Sequence, residues 1–211
     1  LNEEKELEKQ INKIIKFINE EIPKTKIGIV IADNGSTDKT PEISNKLSKL
    51  NKIRTIRTNK KGVGKALKKA WLTSTAEYLG YMDLDTATDL KHLIEISDII
   101  KMSKYKIITG SRNLPGSKVE NRKLHRGLLS KAFNFIIKLM FSSKITDGMI
   151  GFKFIKKDTL QALIENGAQS DGWIFCTEIL LVAEYLKYKI KQIAVSWKDD
   201  QNSKVKIFNL I

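Results

Sequence analysis

The chain has 211 residues, with 38 Lys and Arg against 24 Asp and Glu, and a formal net charge of +14. This length suits one domain with a sizeable core. The basic surplus predicts an anionic partner, such as a nucleic acid, an anionic membrane or a phosphorylated substrate, although a lysine-rich solvated surface would give the same charge. A single cysteine, Cys176, excludes an intramolecular disulfide and a cysteine-type zinc site, and no apolar run is long enough to span a bilayer.

Helix and strand patterns alternate along the first half of the chain: helix 3–20, strand 26–32, helix 40–50, strand 52–57, helix 63–74, strand 77–82, helix 89–102 and strand 106–110. The second half begins with a polar loop. It continues with an amphipathic segment 124–141, strand 150–155, helices near 157–165 and 174–186, and strand 190–197. This alternation predicts an α/β fold, a mostly parallel twisted sheet with helices on both faces. We expect one continuous domain over 1–211.

Two carboxylates, Asp83 and Asp85, follow the apolar strand pattern 77–82. They are therefore predicted at the carboxyl end of a strand, where open α/β sheets place their ligands. Two hard oxygen ligands on one loop suit Mg²⁺ or Mn²⁺, which keeps waters and binds substrate phosphates through one or two carboxylates. A helix N-cap beside an exposed acid is the alternative interpretation. A second acidic loop upstream favours the metal site.

That upstream loop is Asp33-Asn34-Gly35-Ser36-Thr37-Asp38, and it follows another apolar strand pattern. A carboxylate at a strand end can accept hydrogen bonds from a ribose or a base. Turn and helix-cap chemistry would explain the same residues. A glycine-rich turn at 62–65 precedes the next helix, and such turns can cradle phosphates with their backbone N–H groups. Its spacing does not match that of a P-loop.

Taken together, these motifs carry a family resemblance. It rests on a set of short segments that follow one another along the chain: residues 33–38, Asn59 with residues 62–67, residues 82–85, residues 110–112, Asp147 with residues 151–153, residues 173–178 and residues 195–205. The set resembles the family 2 glycosyltransferases of the GT-A fold, in particular the dolichyl- or polyprenyl-phosphate sugar transferases. The M-D-x-D-x-A-T form at 82–88 is most similar to the dolichyl-phosphate β-glucosyltransferase branch.

The resemblance implies roles for individual residues. In the half 1–110 it implies contacts to a nucleotide sugar, UDP- or GDP-linked, by Asp33, Asp38, Asn59, Lys61 and Asp83. Asp83 and Asp85 would also hold the metal on the donor diphosphate. In the acceptor-binding half 111–211 it implies that Arg112, helped by Arg126 and Ser130, grips a lipid phosphate, since arginine matches phosphate bidentately.

At two positions the family pattern does not settle the role of the residue in this chain. Asp147 lies where the family has an aspartate facing the acceptor; it would be a general base for a hydroxyl acceptor, or orient groups for a phosphate acceptor. Cys176 stands at the usual aspartate position of W-x-F-D-x-E.

Members of the resembling family also carry an apolar strand before the N-E-E that this chain shows at 2–4. We therefore expect a sheet lacking its first strand, with unpaired backbone groups.

The predicted function is inverting transfer of a hexose from a UDP-glucose or GDP-mannose type donor to a polyprenyl or dolichyl phosphate, with Asp83, Asp85, Arg112 and Asp147 as the catalytic residues. The alternatives are a family 2 enzyme with a hydroxyl acceptor, and a basic non-catalytic nucleic-acid-binding domain. The apolar segment 124–141 is either a core helix or an interfacial helix. With a lipid acceptor, we expect peripheral association with the cytoplasmic face of a membrane, and no nucleic acid partner.

Overall fold

The computed structural model describes residues 1–51 and 53–199. Its helices are α1 (Leu7–Glu21), α2 (Thr40–Asn51), α3 (Val63–Leu72), α4 (His92–Lys101), α5 (Leu124–Phe141), α6 (Leu160–Glu165) and α7 (Phe175–Tyr185). Its strands are β1 (Val30–Asp33), β2 (Arg54–Arg57), β3 (Tyr78–Met82), β4 (Ile107–Ser111), β5 (Lys118–Glu120), β6 (Phe152–Lys156), β7 (Ile190–Ala194) and β8 (Ser196–Lys198). The part of the resemblance at 200–205 lies outside the described residues.

The main sheet has the strand order β3-β6-β4-β7. Strand β6 runs antiparallel to both β3 and β4, whereas β4 and β7 are parallel. The α/β prediction is confirmed, but the sheet is mixed rather than mostly parallel. The physical reason is that the chain leaves the sheet at the end of β4 and, after α5, re-enters it at that same edge. The start of β6 therefore lies at the same edge of the sheet as the ends of β3 and β4.

Strands β1 and β2 pair in parallel as a separate two-stranded sheet. Among the described residues, β1 has no strand partner on the side away from β2, and β3 has none on the side away from β6. On β3, the indole of Trp71 donates a hydrogen bond to the Gly80 carbonyl at 3.3 Å. These two strand edges agree with the expectation of an open position in the sheet.

Helices cover both faces of the main sheet, because alternate residues of each strand point to opposite sides. On β3, Leu79 and Tyr81 join a core cluster with α3, α6 and α7, while Tyr78 and Met82 pack against the cluster formed with α4. A third cluster joins α1 and α2 to β1, with Leu47 and Ile31 at its centre. The predicted cover of helices on both faces is confirmed.

A short parallel ribbon of β5 and β8 was not predicted from the sequence. Val195 separates β8 from β7, so the single predicted strand 190–197 is two strands. An isolated bridge between Thr88 and Trp197 attaches the ribbon to the loop that follows β3. The ribbon therefore holds Trp197 against the same loop that carries the two aspartates.

Candidate active site

Three loops meet at one edge of the main sheet. The first loop follows β3 and carries Asp83 and Asp85, the second follows β4 and carries Arg112, and the third precedes β6 and carries Asp147. Backbone and side-chain hydrogen bonds connect them: the Asp83 amide donates to the Gly151 carbonyl at 3.1 Å, and the Arg112 amide donates to Asp147 Oδ2 at 3.1 Å. The structure thus brings Asp83, Arg112 and Asp147 together at this edge, and their roles stay predictions.

The Asp83 carboxylate is held in a defined position. Tyr81 donates its hydroxyl hydrogen bond to Asp83 Oδ1 at 2.6 Å. A Cβ built on Gly151 would lie 2.1 Å from Asp83 Oδ2, so the carboxylate occupies space that only a glycine leaves open. Burial raises the pKa of Asp83 to about 6; the charge of Asp85 adds to the rise, while the Tyr81 hydrogen bond and the Lys153 cation oppose it.

Leu84, between the two aspartates, fixes the loop to the rest of the protein. Its side chain packs against the cluster of α1, α2 and β1. The next turn is held as well, since Lys13 of α1 donates to the Thr86 hydroxyl at 2.8 Å. Thr86 adopts the left-handed backbone region with φ of 50°. The Asp-Leu-Asp pattern thus keeps Leu84 in the core of the first half of the chain, while Asp85 remains exposed.

Arg112 and Asp147 form a buried bidentate ion pair. Arg112 donates from Nε to Asp147 Oδ2 at 2.7 Å and from Nη2 to Oδ1 at 2.9 Å. The side chains are 10% and 0% exposed. Burial acts to raise the pKa of Asp147, but the Arg112 hydrogen bonds and charge outweigh it and hold that pKa below its ordinary value. Two of the three guanidinium nitrogens of Arg112 thus bind Asp147, and a contact of Arg112 with an acceptor phosphate stays a prediction.

Lys153 and Cys176 are two site residues whose burial the sequence did not indicate. Lys153 is fully buried, and its ammonium donates to the Ile150 carbonyl. Burial and the nearby Arg112 cation lower the pKa of Lys153, against the effect of Asp147 and Asp83. Burial also raises the pKa of the Cys176 thiol to about 11, which keeps it neutral. A neutral thiol therefore stands where the family pattern has an aspartate.

Two arginines lie against the ring of Trp197. The guanidinium carbon of Arg112 lies 5.1 Å from the centre of its ring, and that of Arg122 lies 5.7 Å from it. Arg126 donates from Nη1 to both carboxylate oxygens of Asp199 at 2.9 Å. The Ser130 hydroxyl is buried and has no hydrogen-bond partner among the described residues. Arg112 and Arg122 thus share the Trp197 ring, and Arg126 is bound to Asp199, two residues further along the chain. The acceptor roles of Arg112, Arg126 and Ser130 stay predictions.

The predicted nucleotide residues surround the end of β1. Asp33 is buried; its Oδ1 accepts the Ser36 amide at 3.0 Å. Its Oδ2 lies 3.3 Å from Arg57 Nε but accepts no hydrogen bond among the described residues. Asn59 and Lys61 are exposed on the neighbouring turn. That turn is tied to the Asp33 loop through the Thr58 amide, which donates to the Asp33 carbonyl at 3.0 Å.

Asp38 has the cap role that the alternative interpretation gave it. Its Oδ1 accepts the Thr40 amide at 2.9 Å at the start of α2, and its Oδ2 accepts the Glu4 amide at 3.3 Å. Slight burial acts to raise its pKa, but these hydrogen bonds lower it below the ordinary value. Both oxygens of Asp38 are therefore engaged within the protein, and its nucleotide contact stays a prediction.

The glycine-rich turn before α3 uses its backbone N–H groups inside the protein. The Gly62 amide donates to the Asn34 side chain, and the amides of Gly64 and Lys65 donate at 3.2 Å to carbonyls of residues 171–172. A Cβ on Gly64 would lie 2.3 Å from the Ser170 carbonyl oxygen. These glycines are required by close packing of the 170–172 loop. The expectation that this turn cradles a phosphate is not supported.

The chemistry of the Asp83 and Asp85 loop fits a hard divalent cation. Both donors are carboxylate oxygens, and the raised pKa of Asp83 reflects burial beside a second negative charge, an arrangement that a cation stabilises. Within 1–51 and 53–199 no cluster of three or more His, Cys, Asp or Glu side chains could hold a metal. A cation held by this pair would therefore complete its shell with water or with a bound phosphate.

This mixed sheet, with paired aspartates at its carboxyl edge, is the GT-A fold of nucleotide-sugar transferases. It resembles crystal structures of glucosyl-3-phosphoglycerate synthase from Mycobacterium tuberculosis in complex with UDP (TM-score 0.65, 14% identity, 100% of this chain and 72% of that chain). It also resembles S. aureus TarS (TM-score 0.60, 17% identity, 93% of this chain and 58% of that chain). Residues 1–164 match the family model for glycosyl transferase family 2, and the chain belongs to that family.

Curated relatives cover nearly the whole chain. Glycosyltransferase AglD of Haloferax volcanii is 29% identical over 206 residues, which are 97% of this chain and 33% of AglD. The dolichyl-phosphate beta-glucosyltransferase of Dictyostelium discoideum is 29% identical over 220 residues, 99% of this chain and 67% of that protein. The human enzyme of the same name is 26% identical over 223 residues, 97% and 67% respectively. This chain thus spans between one third and two thirds of these relatives. In the described ranges, no helix has the length and hydropathy of a membrane span.

Proposed function

We propose that this domain transfers a hexose, with inversion, from a nucleotide sugar to a polyprenyl phosphate of the dolichyl type, with Mg²⁺ or Mn²⁺ as cofactor. The observation that carries the proposal is that the charge of Arg112 reaches the Asp83 carboxylate, while Arg112 and Arg122 both lie against the Trp197 ring. A donor diphosphate at the Asp83 and Asp85 loop would therefore be close to cations that suit an anionic acceptor. The names of the relatives support glucose as the sugar and dolichyl phosphate as the acceptor. The UDP complexes of the similar structures support a UDP-linked donor.

The donor would lie between the Asp33 loop and the Asp83 loop. Asp33 Oδ2, which accepts no hydrogen bond among the described residues, would accept one from the base or the ribose. Asp83 and Asp85 would hold the metal ion, whose chemistry is Lewis-acid stabilisation of the negative charge on a departing nucleoside diphosphate. Leu84 keeps these two carboxylates at a fixed position relative to the Asp33 loop, which favours in-line attack.

A phosphate acceptor needs no general base, because its oxygens are already largely anionic near neutral pH. This fits the state of Asp147, whose carboxylate accepts hydrogen bonds from the Arg112 amide, Nε and Nη2 and has its pKa lowered by them. Asp147 would therefore orient Arg112 instead of removing a proton. A hydroxyl acceptor would require a base with a higher pKa in this position.

Helix α5 is proposed to bring the domain to the membrane that holds the acceptor. Its inward-facing residues include Asn134 and Ile137, and most of its other large apolar side chains are exposed: Leu124, Leu128, Leu129, Phe135, Ile136, Leu139, Met140 and Phe141. Against the other described residues, most of this segment is therefore exposed instead of packed in a core, which supports the interfacial interpretation. Exposed Lys131 and Lys138 interrupt the apolar face, and the helix contains no acidic residue. An amphipathic helix with this composition binds in the interface of anionic membranes. We propose that α5 binds the cytoplasmic face of that membrane.

The proposal is tested by direct transfer assays. The domain is incubated with UDP-glucose or GDP-mannose, Mn²⁺ and a short-chain prenyl phosphate, and the glycolipid is detected by mass spectrometry. Donor binding is measured separately, since a ligand that binds the folded state raises the melting temperature. Transfer to water or to a free hydroxyl acceptor, with none to prenyl phosphate, would favour the hydroxyl-acceptor alternative. Tight binding of single-stranded nucleic acid without donor binding would favour the nucleic-acid alternative.

A further inference from the structure

Lys153 on β6 is a fully buried lysine to which the proposed reaction gives no role. The residue is 0% exposed. Its ammonium donates a hydrogen bond to the Ile150 carbonyl, and among the described residues it forms no ion pair with a carboxylate. A buried cation without a counter-charge is strongly destabilising. The retention of Lys153 in the core therefore requires a negative charge near it.

The backbone brings the Lys153 ammonium close to the Asp83 carboxylate. In the antiparallel pair of β3 and β6, Lys153 lies directly opposite Tyr81, whose hydroxyl donates to Asp83 Oδ1 at 2.6 Å. Directly opposite side chains stand on the same face of a sheet. Next to Ile150, which accepts the ammonium hydrogen bond, is Gly151, and the Asp83 carboxylate atoms lie 2.1 to 2.6 Å from a Cβ built on this glycine. The ammonium and the carboxylate thus contact the same two-residue segment.

The other ionisable groups near Lys153 either have a partner or are neutral. Asp147 is bound through both carboxylate oxygens by Arg112. Cys176 is close enough for its charge to affect Lys153, but burial raises the pKa of this thiol to about 11, so that it is neutral. Asp83 has the hydroxyl hydrogen bond from β3 and, among the described residues, no ion pair. Lys153 and Asp83 are therefore the two charges of this cluster that can compensate each other.

We propose that Lys153 is a positioning residue of the site, whose buried ammonium is the internal counter-charge of Asp83 and holds this carboxylate in place before a metal ion arrives. The inference rests on the proposed function, in which Asp83 binds Mg²⁺ or Mn²⁺. The lysine attracts the carboxylate and repels a divalent cation from it, and both effects are strong at low dielectric. The free domain should thus bind the ion weakly, and a donor diphosphate would add the missing negative charge.

The first experiment is a double-mutant cycle on thermal stability, measured on metal-free protein at pH 8. At this pH the Asp83 carboxylate is ionised, since its pKa is about 6. Lys153→Met should lower the melting temperature by roughly 2–10 °C more in the wild-type background than in Asp83→Asn, where no charge is left to compensate. The same cycle with Asp147→Asn should show a smaller coupling, because Arg112 is the partner of that carboxylate. No coupling with Asp83, or a larger one with Asp147, would overturn the proposal.

The second measurement adds Mn²⁺ without donor. A divalent ion can replace the lost lysine charge, so Mn²⁺ should raise the melting temperature of Lys153→Met more than that of the wild type. This excess should vanish when Asp83→Asn is added. Lys157→Met is the matched control, because the Lys157 ammonium also donates to a backbone carbonyl, that of Trp71 at 2.6 Å, and this variant should keep the wild-type shift. Equal Mn²⁺ shifts in the two lysine variants would refute a charge role for Lys153.

Failure of the proposed function would give a different result. If the coupling is present but Mn²⁺ shifts no variant and supports no transfer, the metal site fails while the compensation of Asp83 by Lys153 stands. If the wild type transfers a hexose with Mn²⁺ but shows no coupling, this inference fails alone. Should Lys153→Met not fold, recovery of a cooperative melt on adding Asp83→Asn, but not Asp147→Asn, would support the proposal, and no recovery with Asp83→Asn would overturn it.

Discussion

Replacing Asp147 with Asn should destabilise the domain strongly. The change removes the charge that compensates Arg112, whose side chain is 10% exposed beside a fully buried carboxylate. Removing one partner of a buried ion pair costs about 3–5 kcal/mol, because the remaining charge stays buried without compensation. For a domain of this size, that corresponds to a fall in melting temperature of roughly 6–20 °C. Thermal melts by circular dichroism measure it directly.

Two variants control this measurement. Asp158→Asn breaks an equally short pair, 2.7 Å from Lys106, but both side chains are exposed, so about 1 kcal/mol or less should be lost. Adding Arg112→Met to Asp147→Asn removes the uncompensated cation and should restore much of the stability. Equal falls in melting temperature for Asp147→Asn and Asp158→Asn would refute this reasoning.

The same pair predicts an acid-sensitive part of the stability. The folded pKa of Asp147 is below its ordinary value of 3.8. A depressed folded pKa contributes stability that is fully present above the unfolded pKa and is lost as pH falls through the folded value. The wild type should therefore lose this contribution below about pH 4, and Asp147→Asn should show a smaller change there.

The remaining predictions concern the metal loop and helix α5. Asp85→Ala should abolish transfer and the divalent-ion dependence of donor binding, because one carboxylate cannot hold the ion against a diphosphate; full metal-dependent turnover would place the metal elsewhere. Gly151→Ala should do the same by displacing the first aspartate of the pair, whose Oδ2 lies 2.1 Å from the new Cβ, whereas Gly28→Ala meets no atom within 4 Å and should be silent. Phe135→Glu, 66% exposed, should weaken the salt-resistant part of binding to anionic liposomes, while Leu50→Glu on α2, 68% exposed, should not; equal effects in a sedimentation assay would exclude α5 as the membrane surface.

The elements that carry local patterns were predictable from the sequence. The apolar run before Asp83 and the alternation of helices and strands predicted β3, the α/β class and the position of the aspartates. The antiparallel direction of β6 was not predictable, because a strand's direction is set by the return path of the chain and not by its side-chain period. The β5–β8 ribbon is three residues long in each strand, too short for a periodic signal.

The partners of charged residues were the least predictable part of the site. Sequence identified Arg112 and Asp147 separately, but their separation of 35 residues gave no sign that they bind each other. The same limit left the ion pair of Arg126 with Asp199 unpredicted. It also hid the burial of Lys153, which follows from its place on a strand covered on both faces. Long-range pairing of charges depends on the tertiary path of the chain, and a single sequence does not encode it locally.

Leu84 links the loop that carries the two aspartates to the local stability of helices α1 and α2. Because its side chain belongs to the cluster of α1 and α2, any partial unfolding that opens this cluster also releases the loop with both aspartates. If this loop holds the proposed metal ion, the affinity for the ion and the local opening of α1 are linked. Bound donor and metal should slow amide hydrogen exchange in α1 more than in α6, even though α1 contains neither aspartate, and the first helix would report whether the site is occupied.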